Sequence, residues 1–229
     1  MNSSRTGLSS RRPFTLLVSG FEPFGDQTIN PAQLLVESLP EHDGDLTIHT
    51  IILPVSFEGA WPLLKARMEE LQPDGVLCIG QAGGRSALTF EKVGINYEAA
   101  SIRDNDGQQP AGTPVVAGAP DGLFATLPVE DMAAAARQAG IPAFVSYSAG
   151  TYVCNCLLYS LLEEQRRTAP DSLGGFLHVP WLVSQAAARP NGTPSMSLET
   201  MKEGLLAALQ VLCKEDCAAG KAAGEGAVS

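Results

Sequence analysis

Asp74-Gly75-Val76-Leu77-Cys78-Ile79-Gly80 runs apolar through consecutive positions between two glycines. A strand with one wet face alternates polar and apolar side chains. This one does not, so it reads as an interior strand covered on both sides. The same signal recurs on either side of it. Residues 15–19 form an apolar run that stops at Gly20, and residues 46–55, 143–146 and 175–179 read as further strands. Between them lie segments with an apolar period of three to four residues. Leu34, Leu35 and Leu39 follow Asn30-Pro31, a capping residue with proline in the first turn. Trp61, Leu64, Met68 and Leu71 mark a helix over 57–71. An alanine-rich helix over 129–138 is ended by Gly140, and helices are predicted over 152–167 and 197–213. Strands alternating with helices define an α/β fold: a three-layer α/β/α sandwich, with a mainly parallel twisted sheet and helices on both faces.

Residues 88–97 alternate only partly. Residues 99–128 are a long connection rich in Gly, Pro and Asp, of the kind that is functional or mobile. A single domain is predicted over 13–213, with a frayed Ser- and Arg-rich extension over 1–12 and a small-residue tail over 214–229.

The chain has 229 residues, of which 45% are hydrophobic, enough for one substantial core. Its formal charge of -10 repels phosphate backbones and anionic membranes, which argues against both as partners. Five cysteines, an odd number in a chain of this size, do not look like a disulfide framework. Residues 1–13 lack the apolar core of a signal peptide, and no run reaches the ~18 apolar residues of a membrane span. A cytoplasmic protein is expected.

Ligands in such sheets bind beyond the carboxyl ends of the strands. Cys154 falls in the first turn of a predicted helix, after the small-residue turn Ser148-Ala149-Gly150. Unpaired amides and the positive dipole end there favour thiolate over thiol. His178 closes the next strand, and an imidazole is the base an acyl-transfer thiol needs. Glu91, in Thr89-Phe90-Glu91-Lys92, can orient such an imidazole. Each has an ordinary reading too: a core cysteine, a structural strand-end histidine, a surface charge paired with Lys92. His42 and His49 read as surface or satisfied core residues. The turns Gly20-Phe21-Glu22-Pro23-Phe24-Gly25 and Gly80-Gln81-Ala82-Gly83-Gly84-Arg85 follow apolar strands and allow close backbone approach to a ligand. Neither is a phosphate loop. Cys154 and Cys156 point to opposed helix faces, and Cys213 and Cys217 have no further His or Cys nearby, so no metal site is expected.

Five blocks, in order, resemble the pyroglutamyl-peptidase I (pyrrolidone-carboxylate peptidase) family of cysteine peptidases. They are 19–25 with Asn30-Pro31, then 80–85, 91–96, 148–155 and 174–180. The resemblance implies a Cys–His–Glu triad of Cys154, His178 and Glu91, with no cofactor. It implies a ring pocket of Phe21, Phe24, Gln81, Ile102, Tyr152 and Val153. The implied activity is hydrolysis of the amide bond after an N-terminal pyroglutamyl residue through a thioester, and the implied assembly is a homotetramer. Two departures stand out. Where the family commonly reads Ala-Arg-Ile-Pro-Asp-Asn, this chain reads Ala100-Ser101-Ile102-Arg103-Asp104-Asn105, with its arginine two positions later; and Cys156 stands where histidine is frequent. An inactive relative that only binds peptides, and a nucleoside-phosphorylase-like transferase, are the alternatives.

Overall fold

A computed structural model describes residues 12–213; the expectations for the two ends, and Cys217, otherwise lie outside the described residues. In chain order the elements are β1 (Phe14–Phe21), α1 (Pro31–Glu37), β2 (His42–Asp43), β3 (Leu46–Leu53), α2 (Ala60–Leu71), β4 (Gly75–Gln81) and β5 (Leu88–Glu91). Four short strands follow: β6 (Val93–Ile95), β7 (Glu98–Ala99), β8 (Ala111–Thr113) and β9 (Gly122–Phe124). Then come α3 (Val129–Gln138), β10 (Ala143–Ser146), α4 (Val153–Thr168) and β11 (Leu173–Val179). The chain closes with β12 (Trp181–Leu182), α5 (Val183–Ala187), β13 (Ser195–Met196), α6 (Leu198–Leu209) and a 3₁₀ turn over Gln210–Cys213.

Seven strands form the central sheet in the order β10-β5-β11-β4-β1-β3-β2. The middle of it, β11, β4, β1 and β3, is parallel. β5 runs antiparallel to β11, carrying β10 with it, and β2 runs antiparallel to β3 at the far edge. The apolar strand of the opening reading is β4, flanked by β11 and β1 and buried over Gly75–Gly80.

Alternation along each strand sorts side chains between two layers of helix. Leu16, Val18, Leu77, Ile79, Leu177 and Val179 join one core with residues of α1, α3 and α6. Leu17, Phe21, Val76, Cys78 and Phe176 join the other, with Leu64 of α2 and Val153, Leu157, Leu158 and Leu161 of α4. α4 is a core helix over most of its length, and each fully buried leucine on it contributes about 1.5–3 kcal/mol over an exposed one.

Several boundaries differ from the sequence reading, each for a local reason. α2 begins at Ala60, not 57. Ser56 Oγ accepts the Gly59 N–H at 2.8 Å and Asp104 accepts the Phe57 N–H at 2.8 Å, so residues 56–59 form a turn. Residues 88–97 split at Lys92: β5 joins the main sheet, and β6 leaves to pair with β9. In α6, Ser197 accepts the Thr200 N–H as the cap, and the last turn tightens to 3₁₀. The connection over 99–128 is tied down rather than loose. Asp104, only 6% exposed, accepts N–H groups from Phe57, Asp106 and Gln108, and Asn105 donates to Glu22 and Pro23.

Candidate active site

The parallel pairing of β4 with β11 sets Gly80 opposite His178, so both face the α4 layer. Antiparallel pairing sets Glu91 opposite Phe176, one step diagonal to His178 on the same face. α4 starts above this patch. A Cβ added to Gly80 would lie 2.9 Å from Cys154 Sγ and 2.9 Å from the Phe176 ring. The sulfur therefore rests on the one position of β4 that has no side chain. Neighbouring strands are about 4.8 Å apart, so His178, paired with Gly80, is the next side chain across the sheet on that face.

His178 and Glu91 are both buried, and His178 Nδ1 meets Glu91 Oε1 at 2.7 Å. An ionised carboxylate only accepts, so Nδ1 carries the proton and Nε2 is left as the acceptor. Arg85 Nη1 donates to the same Glu91 oxygen at 2.6 Å. The expected surface pair of Glu91 with Lys92 does not form; Lys92 pairs instead with Glu130 at 2.9 Å.

The electrostatics correct one expectation. Burial pushes Cys154 up to about 12, toward the thiol, and Glu91 and Cys78 add to it, while Arg85 and the residue's own amide pull the other way. Burial likewise holds His178 below its usual value, against the Glu91 hydrogen bond and charge. Burial also works to raise Glu91, but the hydrogen bond and charge of His178, then Ser146 and Arg85, bring it below the ordinary carboxylate range. Tyr152 caps α4 without a side-chain hydrogen bond, so amides of the first turn remain as donors.

The proposed pocket residues gather unevenly. Phe21 and Val153 are buried in the core beneath the helix start. Phe24 lies 6.5 Å from the Tyr152 ring, and Phe57, which the sequence reading did not single out, stands edge-on to Tyr152 at 5.2 Å. Tyr152 donates to Arg103 O at 3.0 Å, and burial raises its phenol to about 12. Ile102 is 50% exposed on the adjoining loop. Gln81 ends β4; alternation starts its side chain from the opposite face to Gly80, and its amide oxygen is buried with no hydrogen-bond partner among the described residues. The displaced arginine does not reach the sulfur: Arg103 Nη1 donates to Gly107 O at 2.9 Å. Cys156 faces away, toward Glu98 at 3.5 Å, beside a cavity of about 160 Å³ that Phe57, Trp61 and Ser160 help line. Among the described residues no three His, Cys, Asp or Glu side chains gather as a metal site requires.

A half-buried thiol on the same sheet face as an imidazole that is held by a carboxylate, at the carboxyl edge of a three-layer sandwich, has the composition of a thiol-dependent acyl-transfer site. The chain belongs to the pyroglutamyl peptidase family, whose pattern matches residues 14–215. A pyrrolidone-carboxylate peptidase of Bacillus cereus is 44% identical over 198 residues, covering 86% of this chain and 92% of that one. One from Streptococcus pyogenes is 44% identical over 194 residues, covering 85% and 90%. Among solved structures, pyroglutamyl peptidase I of Bacillus amyloliquefaciens superposes with a TM-score of 0.85 at 37% identity, covering 89% of this chain and 97% of that one. A mutant pyrrolidone carboxyl peptidase of Pyrococcus furiosus gives 0.84 at 35% identity, covering 88% and 99%.

Proposed function

We propose that this protein is a cysteine peptidase that hydrolyses the amide bond after an N-terminal pyroglutamyl residue, with Cys154 as nucleophile, His178 as base and acid, and Glu91 as the group that orients the imidazole. Family membership supports the activity. The observation that carries the residue roles is the 2.7 Å contact between His178 Nδ1 and Glu91, which leaves Nε2 free on the face where the Cys154 sulfur sits.

Because burial favours the neutral thiol, attack and proton transfer go together. The sulfur bonds to the pyroglutamyl carbonyl carbon as its proton passes to His178 Nε2. Amides of the first turn of α4 receive the developing oxyanion; one such donor is worth ~10²–10³ in rate. The carbon–nitrogen bond then breaks and His178 returns its proton to the departing amine. Water attacks the thioester, giving its proton to His178, and the thiol is restored as pyroglutamic acid leaves.

The ring is uncharged and flat, which suits walls built from Phe21, Phe24, Ile102, Tyr152 and Val153. Gln81, with its orphaned amide oxygen, is the proposed acceptor for the lactam N–H. Prolyl peptides lack the lactam carbonyl and are expected to be poor substrates. The substrates are peptides, and we assign the protein to the cytoplasm, in keeping with the free thiols of Cys78, Cys154 and Cys156. No described helix is long and apolar enough to cross a membrane. A homotetramer is the assembly we propose, by resemblance.

The test is release of a chromophore from pyroglutamyl, prolyl and alanyl amides. Wild type should cleave the first, and Cys154→Ala should cleave none. Full turnover by the alanine variant would end the residue assignment.

A further inference from the structure

We propose that Arg85 is a positioning residue that clamps the buried Glu91 carboxylate beside His178 and ties it to the segment leading into Cys154. This rests on the residue roles proposed above and adds a fourth group to them.

Three observations support it. Glu91 is 0% exposed, and its Oε1 takes both His178 Nδ1 at 2.7 Å and Arg85 Nη1 at 2.6 Å. A carboxyl that deep tends to take up a proton. Protonated, it would become a donor and favour the wrong imidazole tautomer. A guanidinium stays charged at any working pH, so its contact keeps Glu91 an acceptor. Second, Arg85 Nη2 donates to Ser148 O at 3.3 Å, joining the acid to the turn that precedes α4. Third, the loop that presents Arg85 is held in place. Ala82 N–H bonds Val179 O, next to His178, and Gly83 lies under the Trp181 indole so closely that a Cβ there would come within 2.6 Å of it.

The charges that face His178 are Glu91 from β5 and Arg85 from the 82–85 turn, with the Cys154 thiol above; Cys78 of β4 also faces the sulfur. Arg85 offsets the Glu91 charge, so His178 stays neutral and able to accept a proton. Removing the arginine leaves an uncompensated carboxylate that holds the imidazolium. The imidazole then loses its proton at higher pH, and the acid limb of the rate profile moves upward.

The experiment compares wild type, R85Q, R85K and C154A. It measures kcat and KM on a pyroglutamyl chromogenic amide, and the rate of Cys154 alkylation by iodoacetamide, from pH 5 to pH 9. In R85Q we expect kcat to fall about 10–100-fold with KM within about threefold, and both acid limbs to rise by about half to one pH unit. R85K should keep the wild-type limbs and recover most of kcat. Unshifted limbs in R85Q, or an R85K that shifts as R85Q does, would overturn the proposal. If R85Q does not fold, R85K alone decides: wild-type limbs support the charge clamp, and shifted limbs overturn it. C154A separates the two readings. A fully active C154A removes the triad, whereas an inactive C154A with an R85Q that behaves as wild type removes only Arg85.

Discussion

Gly80→Ala tests where the sulfur sits. The backbone accepts alanine there, since Gly80 is not among the positive-φ glycines. Space does not accept it. The new Cβ would lie 2.9 Å from Cys154 Sγ, and 2.9 and 3.1 Å from two atoms of the Phe176 ring. Ordinary contact is about 3.5–4.0 Å, so the methyl overlaps both neighbours by about 0.6–1 Å. Phe176 is 0% exposed and cannot swing aside, so the sulfur yields or β4 and α4 separate. Overpacking of this size costs about 1–3 kcal/mol. At this chain length that lowers Tm by about 2–12 °C. A nucleophile displaced by about 1 Å loses about 10²-fold in rate. Thermal melts, kcat/KM on a pyroglutamyl amide and iodoacetamide labelling of Cys154 read the three effects. The control is Gly122→Ala, whose added Cβ meets nothing closer than 3.5 Å. It should change stability by less than about 0.5 kcal/mol. A Gly80→Ala protein with the wild-type Tm and rate would refute the placement of the sulfur over β4.

Stability should form a dome in pH. Below about 6.5 the unfolded chain protonates the His178 imidazole while burial keeps the folded one neutral, so the unfolded state binds more protons and Tm falls as pH falls. Glu91 extends the loss as pH drops through its lowered folded value. Above about 8.5 the unfolded thiols of Cys78 and Cys154 ionise, but folded ones stay protonated to about 12, so Tm falls again. Melts from pH 4.5 to 10.5 check this, and a flat Tm between pH 5 and 7.5 would contradict it. Gln81→Leu should lower kcat/KM for pyroglutamyl amide about 10–100-fold, mainly through KM, by removing the acceptor we propose for the lactam N–H. An unchanged KM would place the lactam elsewhere.

The sheet and its helices were legible because burial writes itself into short chain segments. An all-apolar run as short as Val76–Ile79, bounded by Gly75 and Gly80, fits an interior strand, and Asn30-Pro31 and Gly140 punctuate helices locally. The direction of β5 was not legible. Whether Leu88–Glu91 runs with or against β11 depends on how the chain returns through residues 92–142, and no local pattern encodes that path. Cys154, His178 and Glu91 enter as candidates through motif resemblance, since each alone has a plainer reading. Arg85 and Phe57 were missed for different reasons. Arg85 was read as part of a turn, though its spacing of six residues from a buried acid was available. Phe57 lies inside the helix predicted over 57–71, and the Ser56–Gly59 and Asp104 hydrogen bonds hold it instead in a turn facing Tyr152. The thiolate was expected from helix placement alone, and the depth of the site outweighed it.

The strap around Asp104 and Asn105 has a kinetic consequence. Its hydrogen bonds to Phe57, Glu22 and Pro23 exist before any substrate arrives. In the pocket proposed above, an incoming ring would meet walls already held in place. Capture should then cost little ordering entropy, and the departing amine should leave without waiting for a hinge. On the proposed mechanism, turnover should be paced by bonds at the sulfur rather than by the opening and closing of a door.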